Sequence, residues 1–103
     1  MTDKELLTLA AKAAGGFVYV ENMGWIEQDE HGNRGSWWNP FGDDGDALRL
    51  AVKIGLRVMV NKNTGMTSIF TDGFSLHETY DNEPYAATRR AIVRAAAEIG
   101  RAM

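Results

Sequence analysis

The residues most able to do chemistry stand together in Asn39-Pro40-Phe41-Gly42-Asp43-Asp44-Gly45-Asp46, where three carboxylates alternate with glycine. A calcium loop of the EF-hand type needs oxygen ligands at alternating positions, glycine at the sixth and glutamate at the twelfth. Placing Gly45 sixth puts Pro40 first, Gly42 third and Ala51 twelfth, so that loop is absent. The spacing suits a helix start instead, with Asp43 or Asp44 capping free N–H groups and Asp46 in the first turn at the positive end of the dipole. A weak magnesium site is the alternative use of the same carboxylates. His77-Glu78-Thr79-Tyr80-Asp81 comes close to the zinc motif HExxH, but Asp81 stands where the second imidazole belongs and the segment reads as strand and turn. With only His31 and His77 available, a Ser-His-Asp arrangement requires His77 beside Ser68 or Ser75, and no nucleophile-elbow glycines accompany either serine. The glycines of "GGFVYV" precede a strand with no phosphate-cradling pattern and no following helix.

Binding chemistry is better represented. Trp37 and Trp38 are adjacent, and in a strand they point to opposite faces. One then enters the core while the other is free to anchor a partner; the competing arrangement packs both under helices. Arg89 breaks the pattern of its helix by falling between Val93 and Ala96 in the apolar stripe. Its stem must reach the edge, or its guanidinium must meet a carboxylate or a bound anion. Trp37, Phe41 and Arg89 are the binding candidates. Arg90, Arg94 and Arg101 line the opposite face and are the candidates for contact with nucleic acid. Glu98 interrupts them and the chain is acidic overall, so a solvated helix face is the expected arrangement and nucleic acid is not the expected partner.

These residues need elements to position them. Thr2 and Glu5 form a capping-box pattern, Leu6, Leu9, Ala10 and Ala13 recur at helical spacing, and Gly15-Gly16 ends the first helix. "FVYV" at 17–20 is apolar at both parities, which predicts a strand buried on two sides. "GWIEQ" at 24–28 is its hairpin partner, and the polar, glycine-containing "DEHGNRGS" at 29–36 reads as an exposed loop. In the second helix Ala47, Leu48, Leu50, Ala51, Val52 and Ile54 cover more than half the circumference, leaving Asp46, Arg49 and Lys53 as a stripe spaced for ion pairing. Gly55 suits a left-handed cap closed by Leu56. Strands follow at 56–60 and in "MTSIFT", with another in "FSLHET" after Asp72-Gly73. Asn82 or Glu83 starts the last helix, with Pro84 in its first turn and Tyr85, Ile92, Ala96, Ile99 and Met103 as its apolar stripe. The order is α-β-β-α-β-β-(β)-α, an α+β fold with a mainly antiparallel sheet, since the connections are short.

At 103 residues the chain has room for one domain, spanning 1–103, and 45% hydrophobic with 24% charged residues suits a globular one. The absence of cysteine excludes disulfides, thiolate metal sites and thiol nucleophiles, and fits a reducing cytoplasm. A net charge of −3 gives no general attraction to nucleic acid or to anionic lipid. The opening segment is acidic and interrupted by Lys12, unlike a signal peptide, and no run is long enough to span a bilayer, so no membrane association is expected.

Two stretches, "WNPFGDDGDALRLAVKIGL" (38–56) and "AATRRAIVRAAAEIGRAM" (86–103), resemble the small proteins of tailed phages and prophages grouped as the phage ABA sandwich domain, and "MTDKELLTLAAKAAG" fits the same pattern. Residues 16–37 and 57–85 carry no such likeness. The resemblance implies an alpha-beta-alpha sandwich and an accessory protein working in the cytoplasm of a bacterial host. The family carries no assigned activity or catalytic residues, so no role transfers residue by residue. Because Trp38 lies inside a family-like stretch, a structural role is expected for it, which leaves Trp37 for binding. Arg89 and the Asp43–Asp46 run both belong to such stretches, and a structural pair between them is expected. The combined expectation is a non-catalytic module that binds a host or phage protein, without cofactor or metal. The alternatives are a nucleic-acid-binding protein using the last-helix arginines and a small metal-dependent enzyme. Self-association through a sheet edge or a tryptophan is compatible with each.

Overall fold

The computed structural model describes residues 1–80 and 83–103. Thr2 begins α1 (Asp3–Ala14) as its spacing to Glu5 predicts, its hydroxyl accepting from the Glu5 backbone N–H at 3.2 Å. Gly15 and Gly16 follow, both with positive φ, which ends the helix where only glycine turns without strain. The chain then forms β1 (Phe17–Val20), β2 (Gly24–Gln28) and β3 (Arg34–Trp38), a three-stranded antiparallel sheet in that order, here sheet A. The third strand begins inside the segment that reads as a loop in the sequence. The turn closes within Asp29–Asn33, where the Asp29 carboxylate accepts from His31 N at 2.9 Å and Asn33 N at 2.8 Å. Arg34, Gly35 and Ser36 are exposed in an edge strand, so no apolar alternation betrays them.

Asp43 caps α2 (Asp44–Ile54) by accepting from Asp46 N at 2.8 Å. At the other end Gly55 is left-handed with φ 74°, and Leu56 N reaches back to Ala51 O at 2.9 Å, the closing contact its sequence position implies. Sheet B then forms from β4 (Arg57–Asn61), β5 (Met66–Phe70) and β6 (Ser75–Thr79), antiparallel and in chain order. Asn61 organises the first turn through its side-chain oxygen, accepting from Asn63 N and Thr64 N. The last helix, α3 (Pro84–Arg101), starts at proline, and Glu83 before it makes no side-chain capping bond. Asn82, the other expected start, and Asp81 of the HExxH-like segment lie outside the described residues.

The order is therefore α-β-β-β-α-β-β-β-α, and the expected α+β sandwich with antiparallel pairing is what forms. Its strands are shared between two sheets, with the helices between them. α3 packs on α1 and α2 and also on all three strands of sheet B, while α1 rests on β1. Packed on several sides, α3 buries Ala91, Ile92, Val93, Ala95, Ala96, Ala97 and Gly100 over a wide arc and leaves Arg90, Arg94, Glu98 and Arg101 as its polar stripe. Two members of its expected apolar stripe are exposed instead: Tyr85 in the first turn of α3 and Met103 just past its last residue. Phe17, Trp25 and Trp38 of sheet A join the helices in one core, with Phe17 stacked on Trp38 at 4.2 Å between centroids. The expected two-sided burial of "FVYV" is only partial: Phe17, Val18 and Val20 are half-buried, and Tyr19, on the same side as Phe17, is exposed. No helix among the described residues is long and apolar enough to cross a membrane.

Candidate functional site

Alternation along β3 separates the two adjacent tryptophans. Trp38 is buried against Phe17 and Trp25, whereas Trp37 points away from the helices and stays 48% exposed. Strand register fixes its neighbours: Trp37 pairs with Ile26, and Ile26 with Val18, so the three stand side by side on the outer face of sheet A. Ile26 is only 8% exposed yet lies outside the main core. Its strand neighbours flank it on both sides, and among the described residues the only helix packed closely on sheet A is α1, through β1. This is a small apolar face with a half-exposed tryptophan at its edge, the composition of an interface anchor.

Phe41 and Arg89 belong together and away from Trp37. The Arg89 Nε–H donates to the Phe41 carbonyl at 2.7 Å, and Nη1 donates to Asp44 Oδ1 at 2.6 Å. The expected pair with the aspartate run forms, through Asp44. The guanidinium thus ties the first turn of α2 to α3 and leaves few donors for an external anion. The Phe41 ring packs against the core and lies under the Arg90 guanidinium at 5.4 Å.

The aspartates are similarly engaged. Asp43 caps α2, Asp44 holds Arg89, and Asp46 accepts from Asn39 N at 2.9 Å and from Arg49 Nη2 at 2.7 Å. That hydrogen bond to Asp46 raises the pKa of Arg49 above its ordinary value. Lys53, expected to share the ion pairing, donates to the Gly15 carbonyl at 3.0 Å, capping α1 rather than pairing within α2. Among the described residues no three metal-capable side chains converge.

The expected polar stripe on the last helix is present and partly solvated, and each of its arginines is ion-paired. Arg90 pairs with Asp3 at 3.1 Å, Arg94 with Glu78 of β6, and Arg101 with Glu98 at 2.8 Å. Arg90 and Arg94 stay more than two-fifths exposed, with their charge answered by Asp3 and Glu78 within the molecule.

His77 does lie beside Ser68. The two meet across β5 and β6, Ser68 Oγ to His77 Nδ1 at 2.7 Å, on the face of sheet B turned away from α3. Ser68 is almost wholly buried, and its backbone belongs to the central strand of the sheet. A nucleophile there lacks both an approach path and free N–H groups to receive an oxyanion. Glu78, the next residue, points to the opposite face and holds Arg94, so the His-Glu of the zinc-like segment cannot act on one ligand.

One surface was not singled out by the sequence motifs. A groove of about 780 Å³ runs between α2 and β4 with α3 as its floor, lined by Leu48, Val58, Val60, Tyr80, Tyr85 and Ile92. Leu48 is 63% exposed, and Val52 on the same helix 74%. The sequence signal for it was the excess apolar circumference of α2, more than one covered face requires. Comparison with family models, with curated proteins and with solved structures returned no match.

Proposed function

We propose that this chain is a non-catalytic protein-binding module, an accessory protein of phage or prophage origin that acts on a host or phage protein in the bacterial cytoplasm. The outer face of sheet A carries the reading: Trp37 stands half-exposed in register with Ile26 and Val18, on the side of the sheet away from Trp38. A rigid strand holding a large aromatic at the edge of an apolar face gives contact area at low conformational cost. The titratable groups support the same direction, since the aspartates of α2 and the arginines of α3 hold the fold together rather than converge on a ligand. The origin rests on the resemblance of residues 38–56 and 86–103 to the phage ABA sandwich domain.

The test is a tagged pull-down from a nuclease-treated bacterial lysate, with the Trp37→Ser variant in parallel and unfolding midpoints of both proteins measured. The expected outcome is one protein in near-stoichiometric yield, reduced at least about tenfold by Trp37→Ser while the variant stays folded, as for loss of an interface anchor. Equal recovery by the two proteins, or nucleic acid alone in an untreated parallel, rejects the reading.

A further inference from the structure

β4 is an edge strand of sheet B, and its free edge lacks the devices that keep such edges unpaired. Its register against β5 runs through five residue pairs without a bulge, from Arg57–Phe70 to Asn61–Met66. It contains no proline, and its interior is Val58-Met59-Val60, each substantially exposed. The other edges differ. The pairing of β3 is broken by a register shift, β6 carries His77 and Glu78 in its interior, and β1 has only four residues with α1 resting on it, whereas the one charge of β4, Arg57, stands at its end.

The helix layer continues past this edge. Sheet B ends at β4, and beyond it α2 presents Leu48 to the groove, with Val52 exposed one turn further along the helix. A further strand added to β4 would roof the groove, its helix-facing side chains lying over Leu48. Leu48, Val52, Val58, Val60 and Tyr85 together present on the order of 500 Å² of apolar side chain, against about 800 Å² per partner in a standard stable interface. Strand hydrogen bonds would add to that area.

The sequence of β4 names its own partner. Arg57-Val58-Met59-Val60-Asn61 is symmetric in character about Met59. An antiparallel pairing centred there sets Val58 opposite the partner's Val60, Met59 opposite the partner's Met59, and Arg57 opposite the partner's Asn61, so no like charges face each other. Val58 and Val60 line the helix side of sheet B, and the partner's pair would fall on that same side, over Leu48. We propose that the chain forms a two-fold dimer through β4, joining two copies of sheet B into one six-stranded antiparallel sheet and covering the apolar face of α2. This surface is separate from the Trp37 face, and neither reading depends on the other.

The full-length chain is examined by sedimentation velocity and by oxidative cross-linking, with unfolding midpoints recorded for each variant. The wild type should sediment as a dimer of the 11.4 kDa chain at about 100 µM, and Val60→Lys should raise the dissociation constant at least about 100-fold without loss of fold. Because the chain has no cysteine, Met59→Cys introduces a single thiol, and the proposed register brings two of them within disulfide reach at the axis. Met59→Cys should cross-link at least about tenfold faster than Val52→Cys, whose side chain lies off the axis. Trp37→Ser should leave the dimer intact. A monomeric wild type over that range overturns the proposal and leaves the edge to a strand of another protein. A dimer that survives Val60→Lys, or in which Met59→Cys cross-links no faster than Val52→Cys, overturns it as well.

Discussion

Arg89 shows how a residue that offends its local pattern reveals tertiary structure. In an isolated helix it would interrupt the apolar stripe; in the folded chain it joins the first turn of α2 to α3 through the Phe41 carbonyl and Asp44. Asp44 is largely exposed, so the ionic part is screened, and the bond from Nε to a carbonyl at 2.7 Å carries most of the effect. Lysine keeps the charge but cannot supply both donors in the same fork. Arg89→Lys should therefore lower stability by about 1–2 kcal/mol in urea unfolding, and Arg89→Ala by more. Asp43→Ala should cost about 1 kcal/mol through the lost cap, read in the same way. Asp29 gives a prediction in pH. The backbone N–H of Asn33, with further bonds from the Asn33 side chain and His31 N, holds its carboxyl below the ordinary 3.8, against a smaller opposing effect of desolvation. A depressed folded value means the ionised form stabilises the turn; that contribution is fully present above the ordinary value and is lost as pH falls through the lowered one. Carboxyl titration by NMR should place Asp29 below the ordinary 3.8, and Asn33→Gly, which keeps the backbone donor, should remove only part of the shift.

At the scale of elements, the helices were legible because their ends are chemically marked. Thr2, Asp43, Gly55 and Pro84 each sit where capping rules place them. The strands were legible where one face is apolar, and β3 was not, because an exposed edge strand of arginine, glycine and serine has no period to read. The contact between α1 and α3 was equally hidden. Both are alanine-rich, and at Gly100 the backbone of Leu9 comes so close that a Cβ would lie 2.0 Å from its carbonyl oxygen. In an isolated helix Gly100→Ala would help by about 1 kcal/mol. Here the clash is with backbone, which cannot rotate away, so the sign reverses. Gly100→Ala should destabilise the protein by at least about 2 kcal/mol in thermal or urea unfolding, by forcing α1 and α3 apart.

At the scale of the whole molecule, the arrangement of layers decides what each apolar surface is for. Helices between two small sheets leave two outer sheet faces and one uncovered helix flank. Trp37 stands on the first of those faces, and Leu48 with Val52 on the flank. The layering predicts a clear division among the three tryptophans. Iodide should quench the fluorescence of Trp37 while Trp25 and Trp38 are much less accessible, so Trp37→Phe should abolish most of the quenchable emission. Trp38→Ala should instead cost about 3–5 kcal/mol, since it empties the stack on Phe17 and the edge contact with Trp25. The sequence by itself determined the class of the fold, the helix ends and most of the strands. Those follow from capping chemistry, backbone periodicity and alternation, which act within a few residues. Only the tertiary structure decided that the strands form two sheets, that α3 is central, that its arginines are paired by Asp3, Glu78 and Glu98, and that α2 has an uncovered flank beside a bare strand edge. Those depend on which elements meet, and an apolar residue has the same identity in the sequence whether a helix, a strand or solvent stands over it.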